Sequence, residues 1–597
     1  MKRQDCNRTT ETRAGNRLKP FLLGTFVSLS FFALPATLWA DNFLESLELG
    51  KDVKIVDVSK QLPSLAGSFL AAQAAGNDGD DPVAIERYRR AIELDKDNVT
   101  LKQSMFLALT ANGDIGEAIK LLNDIPAESQ DDNVDHIVVA ANALKQKSWS
   151  QALARIDRIE GRDIDQMMAT VFGAWALFGD RKIDAAVKRL EDLKGPDWIE
   201  LIREYHAGLI LAAAGRDQDA IARLTKAVGF RSASGTLNEA YARAVDALAR
   251  VKAHSGDIEG AMEAIRDGLD ILAIQPALTQ LEAALEAGEG SKIAPLITTA
   301  TQGGAEIFFN LGTAIGRQGG NQAAQAHLQI AHFLAPESDV ISFSLGNVYS
   351  DRDKYAIANG YYETVKETSP YLRRAQLETA INLNRLDETP QAVAILERLT
   401  ADDPLDMVSV LTLGSLHSQQ DDFEKAIAVY SATIDRLGAP NRGYWPLFYR
   451  RGIAYERVKK WPLAEADFKT ALELSPEQAD VLNYLGYSWI DQGIHLDEGL
   501  EMVKKAVDLR PNSGFIIDSL GWAYYRLGRY EDAVKELERA LVFMPSDPVI
   551  NDHLGDAYWQ TGRHLEATFQ WKHSLAGGPT DEDRAKIERK LQSGLTN

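Results

Sequence analysis

One thirty-four-residue pattern recurs eight times between Gly312 and Pro579, and a chain that repeats itself at this period has few folds open to it. A small residue marks each copy, at Gly312, Gly346, Ala380, Gly414, Gly452, Gly486, Gly521 and Gly555, with steps of 34 or 35 and one of 38. A second small residue follows twelve positions later at Ala324, Ala358, Ala392, Ala426, Ala464, Ala533 and Ala567, and one inserted residue moves it to Gly499 in the copy from Gly486. Proline closes seven copies, at Pro336, Pro370, Pro404, Pro476, Pro511, Pro545 and Pro579; the copy with four extra residues around Gly438 to Pro440 lacks it in place. Between Asp480 and Pro511 the physics is plain: Gly486, Gly499 and Ala506 let two antiparallel helices approach, while Leu482, Leu485, Val503 and Val507 supply an apolar stripe at helical spacing. Pro511 cannot continue the helix but fits the first turn of the next. One such pair cannot bury its apolar face alone, so stacking of copies makes the core.

This pattern resembles the tetratricopeptide repeat, a helix-turn-helix unit of 34 residues, and the resemblance implies an all-α, right-handed superhelical solenoid of antiparallel helix pairs. Residues 305–579 hold the eight regular copies. Residues 68–275 hold about six degenerate ones, read from second-helix pairs such as Ala84 with Tyr88 and Ala91, Ala118 with Leu122, Ala152 with Ile156, Ala185 with Leu190, Ala220 with Leu224 and Ala261 with Ile265. First-helix glycines survive there only at Gly173 and Gly208. Residues 276–304, with Gly288, Gly290, Gly303 and Gly304, form a Gly-rich junction or an irregular repeat, and residues 580–597 read as a polar capping helix whose Ile587 and Leu591 could cover the last repeat.

The first forty residues carry a different signal. Six basic residues precede an apolar run from Phe21 to Leu34, and Ala36 to Ala40 ends in a small-residue site before Asp41, which predicts a secretory signal peptide cleaved after Ala40. An uncleaved inner-membrane signal anchor is the alternative. Both place the repeats in the periplasm, with residues 41–67 as a lead-in. The single cysteine, Cys6, lies in that leader, as suits an oxidising compartment, and Asp41 in place of cysteine implies no lipid anchor.

A formal net charge of -21 argues against nucleic acid as a partner, since phosphate binding needs a basic surface. Signatures of nucleotide-binding loops, zinc proteases, serine hydrolases and paired cysteines are lacking. The acidic run Asn77 to Asp81 fails as a calcium loop because Pro82 takes a ligand place, and the ten histidines are scattered, with His553, His564 and His573 on no common helical face. No catalytic residue, metal or cofactor is implied, and the reading is of a non-enzymatic chain.

In this architecture the first helix of each pair lines the concave surface, at positions three and two before the small residue and one, four and five after it. These positions give a candidate partner groove of Tyr449, Arg450, Asn483, Tyr484, Tyr487, Asp518, Trp522, Tyr525, Arg526, Asp552 and Trp559, with Glu456, Arg457, Asp491 and Asp556 beside them. Tyr, Trp and Arg dominate interface energetics, and six of the ten tryptophans fall between Trp445 and Trp571.

The runs Leu482 to Ile490, Asp518 to Gly528 and His553 to Trp559 go beyond the general consensus. They resemble exported bacterial repeat proteins that include the adaptor lipoprotein of the periplasmic carboxyl-terminal processing protease. That resemblance implies a periplasmic scaffold that holds protein partners, a processing protease and cell-wall-hydrolase substrates among them. A structural part in an envelope assembly or polysaccharide-export machine is the alternative.

Overall fold

The computed structural model describes residues 64–595 apart from 131, 162–163, 273–274 and 439–440. The predicted leader and most of the lead-in lie outside the described residues. Among the described residues there are thirty α-helices, numbered α1 to α30 in chain order, and no strand. The chain is an all-α tetratricopeptide-repeat solenoid. Six pairs precede a single helix, α13 (Pro276–Glu286); eight pairs run from α14 (Ala300–Arg317) to α29 (His564–Ala576); and α30 (Asp581–Ser593) ends the stack. No helix among the described residues is long and apolar enough to cross a membrane.

The marker residues do what their size requires. A Cβ at Gly521 would stand 2.5 Å from the Leu537 side chain, and one at Gly486 would stand 2.7 Å from the Gly499 carbonyl oxygen, so these pairs close only on hydrogen. A feature the sequence reading did not use sits seven residues after each marker, where the chain reverses. There the backbone is left-handed, at Gly319, Asp353, Asp387, Asp421, Lys459, Gly493, Gly528 and Gly562. Glycine, and at some cost aspartate or lysine, takes that conformation. The residue inserted after Gly486 is absorbed by a second left-handed position at His495.

In the degenerate half the buried small residue of one pair is Ala186, and Ala185 is exposed. Leu190 shares a helical face with the residue four before it, so the register is one position later than the sequence suggested. First-helix partners twelve residues upstream are likewise buried: Ala174 for Ala186, Gly208 for Ala220 and Ala249 for Ala261.

The degenerate half curves round the first regular pair. Helix α14 packs along α5 (Asn133–Lys145), α7 (Ile164–Gly179), α9 (Asp197–Ala213) and α11 (Asn238–His254), and α15 (Asn321–Leu334) packs on α3 (Val99–Asn112) and α5. These five are first helices, so α14 and α15 fill their shared face. Gly303 and Gly304 lie inside α14, where the first presses on Trp175 and the second on Leu144 and Phe172. At the seam, Gln325 Nε2 donates to Asp81 Oδ2 at 2.6 Å and to the Ala111 carbonyl at 2.8 Å. Asp80 caps α2 (Asp81–Leu94), so the acidic run Asn77 to Asp81 serves a helix start and a seam contact.

Candidate functional site

The face filled by α14 shows how first helices of this chain hold a helix. Glu306 of α14 is buried; its Oε1 accepts from Tyr205 Oη at 2.9 Å and from Arg243 Nε at 2.5 Å, and its Oε2 accepts from Arg243 Nη2 at 2.6 Å. Burial alone would raise the Glu306 carboxyl, but Arg243 with its hydrogen bonds holds it below the ordinary carboxylate value. Phe308 meets Phe172 edge-on, with centroids 5.1 Å apart. Trp175 Nε1 donates to His206 Nδ1 at 3.0 Å, and burial pushes that imidazole down to about 4, which keeps it neutral and able to accept.

The residues read from the sequence as a partner groove lie on α22 (Trp445–Arg457), α24 (Ala479–Asp491), α26 (Gly514–Arg526) and α28 (Pro548–Gln560), the first helices of the last four pairs. Several join one helix to the next. Tyr484 Oη donates to Glu456 Oε2 at 3.2 Å, Arg526 Nη1 donates to Asp491 Oδ1 at 2.6 Å, and His553 Nδ1 lies 2.9 Å from Asp518 Oδ1. Tyr449 meets Tyr484 edge-on at 6.2 Å, and burial pushes the Tyr449 phenol up to about 12. Tyr487 is half-buried on the same side of α24, and burial, with Asp491 and Asp518 nearby, pushes its phenol up to about 12. Arg450 is exposed. Asn483 keeps a buried Oδ1 with no hydrogen-bond partner.

The tightest cluster is centred on Trp522. Its indole is stacked between Tyr525, at 4.8 Å and 11°, and His553, at 4.1 Å and 20°. Burial would depress the His553 imidazole, yet Asp518, with Asp552 and Asp556 behind it, holds it above its ordinary value. Stacked flat on the indole, neither ring presents an acceptor in its plane, and Trp522 Nε1 is buried without a hydrogen-bond partner.

Two residues expected to be open are engaged by α30 and its tail. Lys590 Nζ donates to Asp552 Oδ2 at 2.7 Å and to Asp556 Oδ2 at 2.8 Å, while Trp559 stacks on His564 at 4.1 Å and has Gly594 against its ring. Any helix end must cover the apolar edge of the last pair, and Ile587 of α30 is buried there. The covering helix therefore takes up the last repeat's groove residues as well.

Sequence reasoning overlooked Trp175, Phe178, His206, Tyr205 and Arg243. One signal was available: Trp175, Phe178 and His206 are spaced by 3 and 28 residues, as are Trp522, Tyr525 and His553.

A helical-hairpin solenoid whose first helices hold helices and rings is the architecture of a tetratricopeptide-repeat protein. Tetratricopeptide-repeat family models match residues 449–514 and 521–562. A TPR repeat-containing protein of Pseudomonas aeruginosa is 26% identical over 206 residues, which cover 34% of this chain and 34% of that protein. Tetratricopeptide repeat protein 37 of Xenopus laevis is 24% identical over 37% of this chain and 14% of its own length. The chain thus spans about a third or less of these relatives. Among solved structures, the Cut9–Hcn1 hetero-tetramer of APC/C aligns over 90% of this chain and 97% of its own, at 12% identity and a TM-score of 0.36.

Proposed function

We propose that this chain is a non-catalytic, exported scaffold that holds protein partners along the concave face of its regular half and presents envelope proteins, cell-wall hydrolases among them, to a processing protease. The observation that carries this reading is the contrast between the two halves. The first-helix face of the degenerate half is filled by α14 and α15, whereas α22, α24 and α26, which carry Tyr449 to Tyr525, make their extensive contacts with neighbouring helices of the stack. Rings with one polar edge, set beside charged groups, favour protein surfaces over small solutes. The resemblance to exported adaptor proteins supplies the choice of partner, and the predicted leader supplies the compartment.

In-cell crosslinking and pull-down with wild type beside a Trp522→Ala/Tyr525→Ala variant tests this. The reading expects a protease or wall hydrolase that the wild type captures and the variant loses. Equal capture by both would remove the groove, and capture of membrane-assembly components alone would favour the envelope-machine alternative.

A further inference from the structure

We infer that Trp522, Tyr525 and His553 form a second copy of the helix seat that Trp175, Phe178 and His206 make for α14, and that this copy takes an α-helix of a partner protein. The partner helix carries a glycine-like residue over Trp522 and a basic residue three positions later. This rests on the scaffold reading above and names the kind of segment the groove takes.

The two triads match position by position. Each tryptophan follows the small residue of its first helix by one, Ala174 in one case and Gly521 in the other. Each second ring comes three residues on, and each histidine stands two before the next small residue, Gly208 or Gly555. What differs is the state of the rings. Where α14 is seated, Phe178 and His206 stand edge-on to Trp175, at 80° and 76°, and Gly303 lies so close to the indole that any side chain there would overlap it. In the second triad, Tyr525 and His553 have closed flat onto Trp522, at 11° and 20°. The filled seat holds its rings edge-on, and the second triad has them stacked on one another. Rings that cover each other in the absence of a partner can turn aside when one arrives, as interface side chains commonly do.

Charge then selects the occupant. Glu306, three residues after Gly303, meets Tyr205, the residue just before His206. The matching residue before His553 is Asp552, with Asp518 and Asp556 in the same cluster, Lys590 between Asp552 and Asp556, and His553 on Asp518. A carboxylate at that point of a docked helix would meet like charge from three aspartates, whereas an ammonium or guanidinium would have to share Asp552 and Asp556 with Lys590, which already stands between them, and would still meet carboxylates on its remaining side.

The probe is a fluorescein-labelled peptide of residues 299–313 of this chain, made with its own Glu306, with Glu306→Lys, and with Glu306→Lys plus Gly303→Leu. Binding to the full chain is read by anisotropy. The Lys peptide should bind more than about tenfold more tightly than the Glu peptide. The Leu substitution should abolish binding, with no change made to the protein, and Trp522→Ala should abolish it in a chain whose circular dichroism is intact. Equal binding of the Glu and Lys forms, indifference to the Leu substitution or to Trp522→Ala, or no binding at millimolar peptide would each overturn the inference. If partner capture in cells still needs Trp522 and Tyr525 while the peptide fails, the scaffold reading stands and the helix seat is wrong. If the peptide binds as expected and no partner is captured, the reverse holds.

Discussion

Replacing Arg243 by alanine would leave Glu306 buried on α14 with Tyr205 as its remaining donor. Both members of the pair are deep, with side-chain exposures of 11% for Arg243 and 4% for Glu306, so solvent can do little to compensate. Removing one partner of such a pair costs about 3–5 kcal/mol, most of it the penalty of an uncompensated charge. Because repeat arrays need not unfold in one step, a global melt would dilute the effect. Hydrogen exchange resolved over residues 300–334 is the suitable assay, and amides of α14 should exchange about two to four orders of magnitude faster if opening of this seat limits protection. Removing both charges with Glu306→Gln and Arg243→Met should recover most of the loss, since no charge is then stranded. The pH dependence adds a sign. The Glu306 carboxyl is depressed below its ordinary 4.5, so the pair's contribution is full above that value and is lost as pH falls through the lower folded value. In Arg243→Ala burial is opposed chiefly by the Tyr205 hydrogen bond, the carboxyl rises, and the variant should regain stability relative to wild type as pH falls. A loss below about 1 kcal/mol, or no faster exchange in α14, would show that α14 is not held by this pair.

Gly303→Ala forces a methyl into the Trp175 indole and should destabilise the same region by about 1–3 kcal/mol, whereas Gly360→Ala, at an exposed helical position with open space around it, should stabilise by about 0.5–1 kcal/mol; hydrogen exchange resolved over the two helices checks the contrast. Burial pushes the Asp556 carboxyl up to about 6, with Asp552 adding to the rise and Lys590 opposing it. A raised carboxylate contributes stability that is present below its unfolded value and lost as pH rises through the folded one, so Asp556's contribution to the stability of the last pair should grow as pH falls from 7 to 4, and Asp556→Asn should flatten that dependence in melts across the range.

Much of this protein is decided within single repeats. The period, the small residues that let paired helices close, and the prolines that end them are local requirements, and local requirements show in sequence: all eight regular pairs follow their markers. That Trp522, Tyr525 and Asp518 share one helix could be read, because they sit at fixed positions relative to Gly521. The pairings among groove residues could not be read. His553 bonding Asp518, and Lys590 holding Asp552, depend on how neighbouring first helices face each other, and the chain offers several carboxylates to each cation.

The curvature of the degenerate half lay beyond reach of the sequence for the same reason. Whether six irregular pairs form an open arc or close around α14 depends on small rotations that add up from pair to pair, and no single residue states their sum. Gly303 and Gly304 read as punctuation in the sequence because glycine usually marks a turn. Only the tertiary structure shows them inside a helix, where the absence of a side chain lets α14 sit directly on Trp175 and bury Glu306 against Arg243. Sequence alone determined the repeating unit, because its requirements are local; the folded chain decided which first-helix face would be filled from within, because that depends on how the pairs add up.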